Sequence, residues 1–456
     1  MAFAPRAGLR QTQTRMNFQL SPLERKARQI ARAAQEVGGR AYLVGGYVRD
    51  ELLQMAPKDA DIEVYGLEAG QLRALLSGLG RVDCVGESFR VYKLVWHPKA
   101  ENGEKSRCEL DVSLPRRDKK IGAGHRGFEV EGDPFASIED AARRRDFTLN
   151  AILKDPLSGE ILDPFGGRAD LEKRLLRAVD GAHFGEDSLR VLRAMQFAAR
   201  FELEIEAQTV RICQNTPLSD LPKERVWAEW EKWLLKAKKP SVGLRAGVQI
   251  GVFARLFPYL QVAIARRGSQ IEAALDGAAR EKSGLPPEKQ VALMLGALGS
   301  FLGWRDTKRL LEDLKIQKMR GENGAFDVRN TVIKLVGARK TPRDFYARRE
   351  QIRDKEFRFF AARVDPDLAL RLNRARGDQA AADWFEANLR RLDVFDGPPP
   401  PILLGRHLLE MGLKPGPQIG KIVERIYFLQ LCGEITSLEE AKTEARKMAR
   451  DMGFSI

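Results

Sequence analysis

Apolar and polar positions near the start of the chain change period twice within fifty residues. Ala27, Ile30, Ala31 and Ala34 recur at helical spacing and predict a helix over residues 23–38. The run Ala41-Tyr42-Leu43-Val44 predicts a buried strand, which breaks at Gly45-Gly46 into a turn and a short helix carrying Tyr47-Val48-Arg49-Asp50. From Lys58 the period becomes two. Asp59, Asp61 and Glu63 then share one face of a strand, with Ala60, Ile62 and Val64 on the other. Residues 68–79 read as a helix, and 88–96 and 107–114 as two more strands. In the last of these Glu109, Asp111 and Ser113 face away from Leu110, Val112 and Leu114. Residues 115–140, with Gly122-Ala123-Gly124, are charged and glycine-rich and read as a mobile loop. Residues 185–201 predict a strong helix, acidic at its start and rich in arginine further on, as the helix dipole favours. Beyond residue 236 the pattern is helical throughout. Residues 291–302 form an apolar helix, 266–283 and 339–354 read as charged surface or linker, and Gly397 followed by four prolines reads as a stiff spacer.

Length and composition narrow the picture. At 456 residues the chain has room for two to four domains with sizeable cores. No apolar run approaches the length needed to cross a membrane. A net charge of +14 points to a polyanionic partner, with nucleic acid the first class to consider. The four cysteines (Cys84, Cys108, Cys213 and Cys432) lack metal-type spacing and suggest no disulfide framework, which fits a reducing cytoplasm. Residues 1–22 hold Arg6, Arg10 and Arg15, no acid and no apolar signal core, and read as a flexible basic extension in which Met1 or Met16 could be the start.

The chemistry concentrates in four places. A glycine turn opening a helix lets backbone come close to a bulky group and can hold phosphates, which makes Gly45 and Gly46 candidates. Asp59 and Asp61 side by side on a strand repel unless a cation lies between them, and their oxygens suit Mg²⁺. The later strand offers Glu109 or Asp111 as a further carboxylate for two-metal phosphoryl transfer. Asp187 and Arg190, three apart, share a helix face. They form either an ordinary ion pair or a reader of Watson–Crick edges, since a carboxylate accepts from exocyclic amines and a guanidinium donates to ring nitrogens and carbonyls.

In order, these stretches resemble the signature of the class II tRNA nucleotidyltransferase and bacterial poly(A) polymerase family. Leu43-Val44-Gly45-Gly46-Tyr47-Val48-Arg49-Asp50 with Asp59-Ala60-Asp61 is similar to its first motif, and Arg144-Arg145-Asp146-Phe147-Thr148-Leu149-Asn150-Ala151 to its second. Asp163-Pro164-Phe165-Gly166-Gly167 resembles a hinge motif, Glu186-Asp187-Ser188-Leu189-Arg190 the base-reading motif, and 221–234 a fifth, with Glu224 and Arg225 supporting the base-reading helix. Together they cover about half the chain.

The resemblance implies an α+β fold. A polymerase-β-like head of mixed sheet and helices would span 23–160, followed by an all-helical neck (161–236), body (237–396) and tail (397–456). It implies Asp59, Asp61 and Asp111 as ligands of two Mg²⁺ ions, with Asp111 falling at the third carboxylate. Gly46, Arg49, Arg145 and Arg193 would hold the triphosphate, Asp146 and Asn150 would lie near the sugar, and Asp187 and Arg190 would choose the base. The implied partners are tRNA, ATP and CTP, with neither membrane nor DNA, and basic residues of the tail would hold the tRNA. Members that add only C carry a deletion in the loop that this chain keeps at 115–140, which favours A addition. The stretch 178–185, before Glu186-Asp187, is short and not basic, unlike the poly(A) polymerases, and favours CCA addition. An A-adding enzyme, a poly(A) polymerase and a catalytically dead RNA-binding protein are the alternatives. Gly296-Ala297 stands where some relatives carry the His-Asp of a phosphohydrolase, so no such activity is expected.

Overall fold

The computed structural model describes residues 21–454 apart from 58, 86–90, 99–106, 121–127, 317, 322–323 and 339–340. Residues 1–20 of the basic extension and the Gly122-Ala123-Gly124 stretch therefore lie outside the described residues. The chain forms two compact units, one ending at Glu186 and the other beginning at Asp187.

The first unit opens with α1 (Pro22–Glu36), whose Ser21 and Glu24 form a reciprocal cap and whose Ala27, Ile30, Ala31 and Ala34 are buried. There follow β1 (Arg40–Val44), α2 (Gly46–Leu52), β2 (Asp61–Tyr65), α3 (Ala69–Ser77), β3 (Arg81–Val85), β4 (Val91–Trp96) and β5 (Cys108–Ser113). Then come β6 (Arg116–Lys120), β7 (Phe128–Gly132), α4 (Ile138–Arg143), β8 (Leu153–Lys154), β9 (Ile161–Leu162) and α5 (Gly167–Glu172). Seven strands form a mixed sheet in the order β3-β4-β5-β2-β1-β8-β9, with β2 and β5 parallel and β1 antiparallel to β2. Burying Ile62 and Val64 completely leaves Asp61 and Glu63 on the opposite face, as a period of two requires. On that opposite face Tyr42 and Tyr65 meet edge to face at 5.7 Å and pack with Ala141 and Ala142 of α4.

The reading of 115–140 as a loop needs correction. Its flanks pair as the antiparallel ribbon β6–β7, from Arg116 opposite Gly132 to Lys120 opposite Phe128, and 138–143 is helical. Backbone pairing needs no apolar periodicity, so charge and glycine content concealed it. Strand β3, at the sheet edge, was also absent from the sequence reading.

The second unit is helical apart from a small antiparallel hairpin, Met319–Gly321 with Gly324–Phe326, and a two-residue strand at Glu204–Ile205. Its helices begin with α6 (Leu189–Phe201), α7 (Ala207–Asn215), α8 (Lys223–Lys236), α9 (Pro240–Gln249), α10 (Val252–Leu256) and α11 (Pro258–Glu281). Next are α12 (Pro287–Gly299), α13 (Gly303–Asp313), α14 (Val328–Val336), α15 (Pro342–Ala347), α16 (Asp354–Ala361), α17 (Pro366–Ala375) and α18 (Gln379–Arg391). Last come α19 (Gly405–Glu410), α20 (Pro417–Cys432) and α21 (Leu438–Asp451). Two segments taken as surface or linker instead contribute to the core. Residues 266–281 belong to α11, which buries Ile271, Ala274, Leu275 and Ala278, and α15 buries Phe345. The charges occupy one face only, and counting them hides an amphipathic helix. Residues 402–449 carry their own core, centred on Leu408, Ile422, Ile426 and Ala445. The proline run is tied to it by Gln430 Nε2 donating to Pro400 O (2.9 Å) and Tyr427 OH donating to Pro399 O (3.1 Å).

One half-buried cation closes a helix end. Lys282 Nζ donates to the carbonyls of Leu234 (2.9 Å), Leu235 (2.7 Å) and Ala237 (3.4 Å), which the end of α8 leaves without partners. Replacing Lys282 with Met strands these acceptors and is expected to cost about 1–3 kcal/mol in urea denaturation. Burial pushes the Lys282 ammonium down to about 8 from 10.5. The unfolded chain therefore holds this proton more tightly than the folded one. The penalty is fully present below pH 8, and stability rises with pH between 8 and 10.5. Lys282→Met should flatten that rise.

Candidate active site

The turn at the end of β1 places the first site group. Gly45 caps α2 with φ +65° and ψ −123°, in the left-handed half of the backbone map that favours glycine. A Cβ there would come within 2.9 Å of Arg145 Nη1. The turn thus packs against the guanidinium of a residue a hundred positions later.

Three of the expected nucleotide-binding residues form one hydrogen-bonded chain beside this turn. Arg49, 4% exposed, donates from Nη1 to Asn150 Oδ1 at 2.6 Å and from Nε to Asp50 at 2.8 Å. Asn150 Nδ2 donates to Asp146 Oδ1 at 2.9 Å, and that oxygen also accepts the Phe147 N–H at 2.8 Å. Asn150 closes a 3₁₀ turn, Thr148–Asn150. That turn is braced by Thr148 Oγ1 donating to Asp170 (2.6 Å), itself held by Arg177 (2.9 Å). Gly167 is needed here because a Cβ would collide with Thr148 O at 2.2 Å. The hinge-like Asp163–Gly167 stretch is thus a tightly packed turn, with Asp163 accepting the Gly167 and Arg168 N–H groups at 2.7 and 2.9 Å.

The carboxylates come together through sheet register. Asp61 on β2 lies directly opposite Asp111 on the parallel strand β5. Glu109, two residues earlier on the same face, is engaged by Lys93 (3.1 Å) and Arg107 (3.4 Å). Lys93, paired with Asp111 across β4 and β5, also reaches the Asp111 carboxylate at 3.5 Å. Loss of solvation on burial raises the Asp61 carboxyl above its ordinary range. Arg145 opposes that shift, while Asp111, Asp59 and Glu63 reinforce it. Asp59 is exposed, just ahead of β2. Among the described residues no three acidic, histidine or cysteine side chains already stand close enough to hold a metal ion. The donors nonetheless fit a hard divalent cation in kind: they are oxygens that crowd one another and gain from a positive charge between them.

Sequence reasoning passed over Glu63 as a site residue. It is 8% exposed; its Oε1 accepts from Arg145 Nη2 at 2.9 Å and its Oε2 from the Tyr65 hydroxyl at 2.9 Å. The signal was present in its place on the same face as Asp59 and Asp61. What it lacked was any indication that Arg145 folds back onto that strand.

Asp187, Arg190 and Arg193 belong to the second unit. Asp187 stands just ahead of α6, and its carboxylate accepts the Leu189 N–H (3.1 Å) and Arg225 Nη2 (3.3 Å). Arg190 is half-buried on the first turn of α6. Arg193 lies over the Phe197 ring at 5.1 Å. Of the two residues expected to support this helix, Arg225 does touch it. Glu224 instead pairs with Lys315 at 2.7 Å.

Residues 41–177 match the poly A polymerase head domain, and residues 202–264 match a region described as a probable RNA and SrmB-binding site of polymerase A. The two matches together cover less than half of the chain. Among its relatives, a multifunctional CCA protein of Xanthomonas campestris is 39% identical over 228 residues, 48% of this chain and 51% of that one. One from Actinobacillus pleuropneumoniae is 40% identical over 224 residues, 48% and 50% of the two chains. The chain spans about half the length of these curated relatives. The Bacillus stearothermophilus CCA-adding enzyme, solved with CTP, superposes with a TM-score of 0.65 at 23% identity, over 95% of this chain and all of that one. The Thermotoga maritima CCA-adding enzyme, solved with tRNA, gives 0.62 at 22%, over 94% and 96%. At such identities the likeness establishes the fold alone: a head with a mixed sheet and a mostly helical remainder. Members of this head family work with divalent metals. No helix among the described residues is long and apolar enough to cross a membrane.

Proposed function

We propose that this chain adds C, C and A to the 3′ end of tRNA from CTP and ATP, releasing pyrophosphate. The observation that carries the reading is Asp61 in register with Asp111, beside a Gly45 turn against which the Arg145 guanidinium packs. Asp59, Asp61 and Asp111 would hold two Mg²⁺ ions, which supply charge neutralisation at the phosphates when bound. Asp111 accepts the proton of the RNA 3′-hydroxyl. Gly45 and Gly46 allow the close approach of a triphosphate, and Arg145, Arg49 and Arg193 donate to its oxygens. Asp146 and Asn150, already bonded to each other, present a fixed polar edge to the sugar. Asp187 and Arg190 choose the base, with Arg225 holding the Asp187 carboxylate in place. Basic residues of the C-terminal helices bind the tRNA by shape and phosphate charge. A cytoplasmic site of action accompanies this reading.

The test uses transcripts of tRNA ending before CCA and after CC, each incubated with Mg²⁺ and CTP, ATP or both. The expected product is a complete CCA on the bare end, stopping there. One A added only to the CC end would make this the A-adding member of a pair. Long A tails on unrelated RNA would make it a poly(A) polymerase. No incorporation at all would sink the enzymatic reading.

A further inference from the structure

The second unit holds a feature that the transfer reaction does not use. A cavity of about 760 Å³ lies among α13, α14, α15, α16 and α20, walled largely by aromatic rings. Trp304 and Phe428, at its edges, are 52% and 44% exposed, and Phe359 meets Phe428 at 5.2 Å between ring centres. Large exposed rings gathered round one opening mark a binding surface more often than an accident of packing. The volume lies within the usual range for a small-ligand cleft, about 300–1,000 Å³.

Charge narrows the occupant. Lys334 and Arg363 line the opening, and neither makes an ion pair with a described residue. Lys308 lies over the Trp304 ring at 5.6 Å and Arg425 over the Phe428 ring at 5.2 Å, likewise with no ion pair among the described residues. Glu356, the carboxylate in the lining, is engaged by Arg348 at 3.7 Å. A purely apolar guest would leave four cations idle. A flat ring carrying phosphates on either side uses both the aromatic walls and the cationic rim.

We infer that this groove takes one unpaired base of the RNA substrate, stacked on Trp304 and Phe428, with flanking phosphates on Lys334 and Arg363. The inference rests on the reading above, in which tRNA is the partner. It differs from recognition by shape and backbone charge alone, because it requires a base out of the helical stack.

The experiment measures Kd of the full chain for a tRNA transcript lacking CCA, by fluorescence anisotropy over a salt series. Trp304→Ala and Phe428→Ala are each expected to weaken binding by about tenfold with an unchanged salt slope, since stacking is neutral. Lys334→Ala with Arg363→Ala should weaken it and reduce the slope by about two. All four side chains reach solvent, and thermal melts check that the variants are folded. Nucleotide addition at saturating tRNA should match the unmodified chain. If the aromatic variants bind tRNA within twofold of it while addition proceeds, the groove assignment is overturned and the transferase reading stands. Micromolar binding of free AMP or CMP in the groove, lost in Trp304→Ala without change in tRNA affinity, also overturns it. If the unmodified chain neither binds nor extends tRNA, both readings fall.

Discussion

Asp61→Asn is expected to lower nucleotide addition by about a thousandfold or more while leaving tRNA affinity within twofold. The substitution keeps the size of the side chain and its place on β2, so the sheet has no reason to rearrange. What it removes is one negative charge opposite Asp111, at the point where the proposed cations would be held. A loss of about 4 kcal/mol of transition-state stabilisation corresponds to that factor, and metal-assisted charge stabilisation is of that order. Structure adds a second expectation. Loss of solvation, reinforced by Asp111, Asp59 and Glu63, makes the ionised Asp61 unfavourable in the folded chain. In EDTA, Asp61→Asn should therefore melt at a temperature no lower than the parent chain, and higher if that penalty dominates. Loss of activity together with clear loss of stability would point to damage to the sheet. Activity above a tenth of the parent's would refute Asp61 as a metal ligand.

Glu63→Ala is expected to raise KM for the incoming nucleotide by about 10- to 100-fold. Its carboxylate bonds Arg145 Nη2, and Arg145 also lies against Gly45. Removing one partner of a nearly buried ion pair leaves the other charge to reorient or recruit water, at a cost of about 3–5 kcal/mol when burial is complete. Arg145 retains a fifth of its side-chain exposure, so a smaller cost of about 1.4–2.7 kcal/mol applies. A merely structural role would lower stability without separating KM from kcat. The decisive comparison is a double-mutant cycle. If Glu63 acts by holding Arg145, then Glu63→Ala combined with Arg145→Ala should lose no more than Arg145→Ala alone. Additive losses would give Glu63 a separate role. Tyr65→Phe, which removes only the other hydrogen bond to Glu63, should change KM by less than threefold.

Much of the first unit was legible from side-chain period. A five-residue strand that alternates Asp61, Glu63 and Tyr65 against Ile62 and Val64 admits one orientation, because the apolar set must be buried. The glycine pair, the arginine cluster and the helix at 189–201 were legible for similar local reasons. The ribbon of residues 116–120 with 128–132 and the edge strand 81–85 were not. Their pairing is made by backbone groups, which every residue carries, and neither leaves an apolar signature. The charged stretch 266–281 misled in the opposite direction, since one buried stripe suffices to place a helix in the core.

The sequence by itself determined the types and order of the chemical groups: carboxylates at alternate positions of a strand, a glycine turn before a helix, arginines spaced along helices. Those follow from rules acting over a few residues. Only the tertiary structure decided which of them meet. The parallel pairing of β2 with β5 set Asp61 opposite Asp111 rather than Glu109, and the return of residues 145–150 to the turn joined Arg49 to Asn150 and Arg145 to Glu63. Contacts between residues fifty to a hundred positions apart depend on how several buried faces are satisfied at once, which no local pattern records.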